Sequence, residues 1–270
     1  MEFSLKAHAK CNVGLKVGEK RDDCYHPLCT YFHLISLSDT IHFDIRPSKN
    51  TKVSITGNEE YAKIGVVDLM ERAALLYSKE RDRHFYIQIN IDKHIPFGAG
   101  LGGGSSDAAT VLKALATFYE DKESLQDMAL KLGSDVPFFT SGYTAAKGEG
   151  RGELLTPIEP VSAKAALLMP KAEKVSTLWA FSELDKRKSC SLTLPPWSID
   201  SQKWYDLYEN DFLQVQSESE CMKKREKYRL MLSGSGACFY TIVDSVEKGK
   251  ALIEDFSSTD DYFVHFLTKR

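Results

Sequence analysis

From Leu5 to Val17 the sequence alternates without a break. Leu5, Ala7, Ala9, Cys11, Val13, Leu15 and Val17 are apolar, and Lys6, His8, Lys10, Asn12, Gly14 and Lys16 stand between them. A period of two over this length demands a β-strand with one buried face, so the fold must contain a sheet with a layer packed against it. Lys10 and Asn12 fall together on the opposite face, one pleat apart. By the pattern alone that face is expected to meet solvent.

The same reading predicts strands at 40–45, 53–56 and 85–91. Apolar residues at Val66, Leu69, Met70, Ala73, Ala74 and Tyr77 have the spacing of an amphipathic helix over 66–78. Further helices are expected from Ser105 or Ser106 to about Phe118 and over 122–132, with Gly133 as a left-handed cap. Beyond the turn-rich Gly148-Glu149-Gly150-Arg151-Gly152 come expected strands at 163–169, 229–232 and 237–243, a helix over 245–256 and a strand at 262–267. Residues 186–201 form a polar loop containing Pro195-Pro196. Strands come first and helices follow without regular alternation, which favours an α+β fold over a doubly wound parallel sheet. The change of texture places a domain boundary near residue 155, giving domains 1–155 and 156–270.

A chain of 270 residues can bury a full core without disulfides or a structural metal. Its 35 basic and 38 acidic residues leave a charge of 35 − 38 = −3, which argues against nucleic-acid binding through a basic face. Six cysteines form no C-x-x-C pair, as suits a reducing compartment. Residues 1–6 lack the pattern of a secretory signal, and no apolar run approaches the ~20 residues of a membrane span. A cytoplasmic protein without a membrane partner is expected. The histidines show no ligand spacing, so no zinc site is expected.

The strongest local signal runs from Pro96 to Ala109: Pro96-Phe97-Gly98-Ala99-Gly100-Leu101-Gly102-Gly103-Gly104-Ser105-Ser106-Asp107-Ala108-Ala109. Five glycines in seven positions let backbone N–H groups close around an anion, and the helix that follows offers its positive end to phosphate. Ser105, Ser106 or Asp107 could cap that helix, and the serine hydroxyls could reach a phosphate or a magnesium ion. A flexible turn is the plainer alternative. The loop lacks the lysine of a Walker A motif, and 92–96 interrupt the strand that a Rossmann loop requires. A second glycine turn, Ser233-Gly234-Ser235-Gly236-Ala237-Cys238, reads by itself as a hairpin. Asp135, between Gly133 and the apolar Val136-Pro137-Phe138-Phe139, is expected to be partly buried and to need a partner, with Lys10 a candidate.

Together these segments resemble the GHMP kinase superfamily of small-molecule kinases, nearly end to end. Ala9-Lys10-Cys11-Asn12-Val13-Gly14-Leu15 is similar to the family's opening strand, and the Pro96–Ala109 loop to its ATP loop. Tyr25-His26 with Ser134-Asp135-Val136-Pro137-Phe138-Phe139 narrows the resemblance to the branch that phosphorylates an alcohol linked to cytidine diphosphate, on the non-mevalonate route to isopentenyl diphosphate. The resemblance implies a two-domain α+β fold with the active site in the cleft between domains.

It also implies roles. Asp135 would be the base, or at least the orienting group, for the attacking hydroxyl, and Lys10 the cation beside it. Pro96, Gly98, Ala99, Gly100, Leu101, Gly102, Gly103, Gly104, Ser105 and Ser106 would bind ATP, with Mg2+ implied by ATP chemistry and Ser106 a candidate contact. Asn12 would bind the alcohol substrate, and Thr177 would help line the pocket of its cytosine. Tyr25 and Phe181 would sandwich the cytosine and His26 would hydrogen-bond its edge. Gly234, Ser235, Gly236 and Ala237 would build a second wall. Asp22 and Cys24 stand where the family has Pro and Gly, so a changed turn before Tyr25 is expected. Two alternatives are a kinase for another small alcohol and a nucleotide-binding regulator without turnover. Tyr25, His26 and Phe181 speak against the first, and the joint presence of Lys10 and Asp135 against the second.

Overall fold

The computed structural model describes residues 1–57, 68–170, 175–187 and 191–269. The chain folds into two compact units drawn from interleaved segments. Unit 1 comprises Met1–Ala9, Leu37–Phe97 and Gly102–Gly142; unit 2 comprises Lys10–Ser36, Gly98–Leu101 and Tyr143–Arg270. The secondary structure is mixed, as an α+β fold requires.

Two long strands, β1 (Glu2–Val17) and β2 (Leu28–Pro47), contribute to both units. In unit 1 the second half of β2 pairs antiparallel with β4 (Phe85–Asp92), setting Ile41 opposite Ile91, Phe43 opposite Ile89 and Ile45 opposite Ile87. β3 (Lys52–Thr56) lies parallel to β4 on its other edge. Helix α1 (Leu69–Arg81) begins where the Asp68 side chain accepts the Met70 N–H at 2.8 Å. It packs against α2 (Gly103–Phe118), and the buried Ala73, Ala74 and Tyr77 join Ala108, Val111, Leu112 and Leu115 in this core. The first part of the helix expected at 66–78 lies outside the described residues. Helix α3 spans Gln126–Leu132 and the one-turn α4 Val136–Thr140. Gly133 is extended at φ 168 rather than left-handed, because the chain runs straight on toward α4.

In unit 2 the first half of β2 pairs with β5 (Ala145–Glu149), which pairs with β6 (Leu154–Pro157). A second antiparallel sheet has the order β10–β7–β9–β8, formed by Thr259–His265, Lys164–Pro170, Phe239–Val243 and Met231–Leu232. Helix α5 (Thr177–Leu184) and α6 (Val246–Ile253) also belong to this unit. Leu15, Val17, Leu168, Phe212, Leu232 and Phe239 are among the residues of its core. Among the described residues no helix is long and apolar enough to cross a membrane.

Candidate active site

The alternation of β1 survives as geometry and fails as exposure. Ala9, Cys11 and Val13 are buried as expected, yet Lys10 is 3% and Asn12 2% exposed. Within unit 2 the Lys10 Nζ donates to Asn12 Oδ1 at 2.5 Å and to the Gly100 carbonyl at 3.0 Å. Asn12 Nδ2 donates to Thr30 Oγ1 (2.9 Å), and its backbone N–H to Ser233 Oγ (3.2 Å). Ser233 Oγ in turn donates to the Gly100 carbonyl at 3.0 Å. A buried ammonium needs such partners, since an uncompensated charge out of water costs several kcal/mol. Burial pushes the neighbouring Cys11 thiol up to about 12, so it stays protonated and is no nucleophile.

These bonds join the first glycine segment to the second. Gly100 has φ +72, and a Cβ there would stand 2.2 Å from the Ser233 carbonyl oxygen. A Cβ on Gly234 would stand 2.9 Å from the Gly100 carbonyl oxygen. The turn is a hairpin, with Leu232 opposite Phe239, and it also packs backbone to backbone on Gly100. Asn210 Nδ2 holds it by donating to the Leu232 and Gly234 carbonyls at 2.9 Å each, and Gln216 Nε2 donates to Ser235 at 3.1 Å. Ser233 belongs to the second glycine turn that the sequence marks, and Asn210 opens Asn210-Asp211-Phe212, a segment that also resembles the family, whereas no local pattern marks Gln216 for this work.

In unit 1, α2 starts at Gly103, earlier than expected, with left-handed Gly102 (φ 72) as its N-cap and no side-chain cap bond. Ser105, Ser106 and Asp107 are therefore not caps but residues of the helix itself. The first-turn N–H groups of such a helix lack intrahelical acceptors and suit an anion. Ser106 is buried and its hydroxyl donates to the His8 carbonyl at 2.7 Å, leaving oxygen lone pairs. Asp107 contacts Lys93 at 2.7 Å, and burial pushes its carboxyl up to about 8 against the pull of Lys93. Pro96 precedes the loop in the same unit. Asp135 stands half-buried just before α4 with φ −84 and ψ −19, and its carboxylate does not cap that helix.

The remaining candidates belong to unit 2. Tyr25 is 48% exposed, and the Arg151 guanidinium lies 4.3 Å from its ring centroid. Cys24 adopts φ 64, the left-handed conformation that a glycine takes most easily. His26 is buried, with Nδ1 3.0 Å from the Gly18 carbonyl oxygen and Nε2 3.2 Å from Asp185 Oδ1. Its ring stacks on Phe181 at 5.0 Å and 22°, while Phe181 meets Phe212 edge-on at 4.9 Å. Phe181 thus faces His26, and Tyr25 rests against Arg151. A cavity of about 600 Å3 opens beside His26 and Asp185, lined also by Val17, Lys20, Leu184 and Arg187. Thr177 Oγ1 lies 3.1 Å from Ser235 Oγ. Among the described residues no group of three His, Cys, Asp or Glu side chains could hold a metal ion.

The comparisons agree with one another. A profile for the GHMP kinases N terminal domain matches residues 68–143. The 4-diphosphocytidyl-2-C-methyl-D-erythritol kinase of Ralstonia pickettii (strain 12J) is 36% identical over 262 residues, covering 93% of this chain and 89% of that protein. A crystal structure of 4-(cytidine 5'-diphospho)-2C-methyl-D-erythritol kinase superposes with TM-score 0.77 at 27% identity, covering 97% of this chain and 98% of the other. The mevalonate kinase of Methanococcus jannaschii shares the fold, with TM-score 0.67 at 16% identity over 99% of both chains.

Proposed function

The chain belongs to the 4-diphosphocytidyl-2-C-methyl-D-erythritol kinase family of the GHMP kinases, and from that membership we propose how its residues carry the reaction. It transfers the γ-phosphoryl group of ATP to the 2-hydroxyl of 4-diphosphocytidyl-2-C-methyl-D-erythritol, giving the 2-phosphate and ADP, in the non-mevalonate route to isopentenyl diphosphate. The profile match over 68–143 supports placing ATP binding within residues 1–155.

Phosphoryl transfer asks for positioning and for electrostatic stabilisation of the moving group. The observation that carries the assignment is the buried Lys10 ammonium held on the carbonyl of Gly100, inside the glycine loop. In the proposal this charge offsets that of the phosphoryl group in flight, while Asp135 accepts the proton of the attacking hydroxyl. The amides of Gly102–Ser106 and the glycine loops receive the phosphates. Ser106, whose hydroxyl oxygen keeps lone pairs, would help to hold a magnesium ion, which would supply neutralisation of phosphate charge. Asn12 binds the alcohol substrate, Thr177 helps line the pocket of its cytosine, and Gly234–Ala237 help build a second wall.

Tyr25 and Phe181 stack the cytosine, a contact worth about 1–3 kcal/mol per base. His26 reads its edge through Nε2, so binding exchanges the Asp185 contact for one to the base. Buried free cysteines at 11, 29, 221 and 238 suit a cytoplasmic setting. In a coupled assay, ADP release should require this substrate. Equal turnover with homoserine or mevalonate contradicts the assignment.

A further inference from the structure

We infer that Lys93, Asp39 and Asp107 form a clamp fixing both ends of the ATP loop, so that Asp107 and Lys93 act as positioning residues for nucleotide binding. The inference rests on the reading of Gly102–Ser106 as part of the ATP site. All three side chains belong to unit 1.

Lys93 Nζ lies 2.6 Å from Asp39 Oδ2 and 2.7 Å from Asp107 Oδ2. Asp39 is fully buried, and its other oxygen accepts the backbone N–H groups of His94 (2.6 Å) and Ile95 (2.8 Å). The residues that lead into Pro96 are thereby fixed. Asp107 sits one turn into α2 and holds the same ammonium from the far end of the loop. A Cβ on Gly103 would stand 3.7 Å from Lys93 Nζ, so the cation lies directly beside the first residue of the helix.

Stability does not explain this cluster. Two carboxyl groups taken out of water around one part-buried ammonium are costly, and well-packed apolar replacements are often neutral or stabilising. Asp107 Oδ1 is also buried with no hydrogen-bond partner, an unrecovered desolvation cost. What the cluster supplies is geometry. One ammonium shared by the start of the loop and the first turns of α2 holds the loop closed before nucleotide arrives. Its amides then need not be ordered by the phosphates, and binding costs less.

The test is steady-state kinetics on the purified full chain, varying ATP and the alcohol substrate separately. Asp107→Ala should raise the KM for ATP by about tenfold, the factor expected for losing one charged hydrogen bond. The KM for the alcohol should stay within about twofold, a split that a general loss of structure would not give. Asp107→Asn, which keeps an oxygen toward Lys93, should recover most of the loss. If Asp107→Ala fails to fold, the triple variant Asp39→Asn/Lys93→Met/Asp107→Leu gives the reading, because it removes all the charges of the cluster together while the amide oxygen at position 39 keeps an acceptor for the His94 and Ile95 N–H groups. It should be folded and still show the raised KM for ATP. An ATP KM unchanged in the folded variants, or equal rises in both KM values, overturns the clamp. Gly104→Val, which adds a branched side chain at the start of α2, separates the two ideas. If it raises the KM for ATP while the clamp variants do not, the clamp alone falls. If it also leaves that KM unchanged, the ATP-loop reading falls and the clamp with it.

Discussion

Lys10 and Asn12 show how far a single residue's role can be read from sequence. The alternation of β1 puts them on one face, and that pairing holds, with 2.5 Å between Lys10 Nζ and Asn12 Oδ1. Their burial is not legible, because the partners that cover them, Gly100, Ser233 and Thr30, come from distant parts of the chain. Asp135 stands out by its place before an apolar run, and it is half-buried as that context requires. Asp135→Asn should keep nucleotide affinity and lower kcat by about 10²–10⁴-fold, the usual range for a lost general base. A variant near the wild-type rate would remove Asp135 from the role, as rapid-quench measurement would reveal. Two glycines make a further contrast. Gly100→Ala should lower stability by more than about 2 kcal/mol, since it adds a backbone clash at 2.2 Å to the left-handed strain. Gly98→Ala, at φ +69 but with open space around it, should cost only the conformational part, about 1–2 kcal/mol. Urea titrations of both variants give the comparison, and equal losses would mean that the Ser233 approach does not constrain Gly100.

Elements with one buried face are legible and those buried on both faces are not. β4 and α1 announce themselves by period, whereas the pattern marks only 40–45 of the twenty-residue β2. From Cys29 to Ile35 every residue of β2 is buried, so no alternation marks it. Helix α5 has no clear signal because only Ala180 is fully buried along it. The start of α2 is misplaced by the pattern because glycines read as loop, although Gly103 and Gly104 are helical. His33, in the middle of β2, carries a pH prediction that belongs to this element. Its Nδ1–H donates to the Leu34 carbonyl at 2.9 Å, and Nε2 accepts the Val161 N–H at 2.9 Å. Burial lowers it from 6.5 to about 4, so the folded chain keeps it neutral while the unfolded chain takes up a proton. Its contribution to stability should therefore fall as pH drops from 6.5 to about 4, by on the order of 3 kcal/mol, and level off below. His33→Gln should lose that part of the slope in urea titrations from pH 7 to 4.5. Parallel slopes would show that His33 is not the group responsible.

At the scale of the molecule, texture along the chain says little about which distant segments pack together. Unit 1 and unit 2 each draw on three stretches of sequence, with β1 and β2 passing through both. What is legible at this scale is the class, because strands before helices without alternation is an α+β signature. The family is legible too, through several short motifs in a fixed order, and relatives above 30% identity bear it out. The clamp of Lys93 with Asp39 and Asp107 is not, since residues 39, 93 and 107 form no local pattern. The central claim is that the whole chain moves one phosphoryl group from ATP to one hydroxyl. Phosphorus NMR of the reaction mixture tests it most directly. The account predicts one new phosphomonoester on the 2-hydroxyl of 4-diphosphocytidyl-2-C-methyl-D-erythritol for every ADP formed. ADP accompanied by inorganic phosphate, with the diphosphocytidyl substrate unchanged, would contradict it.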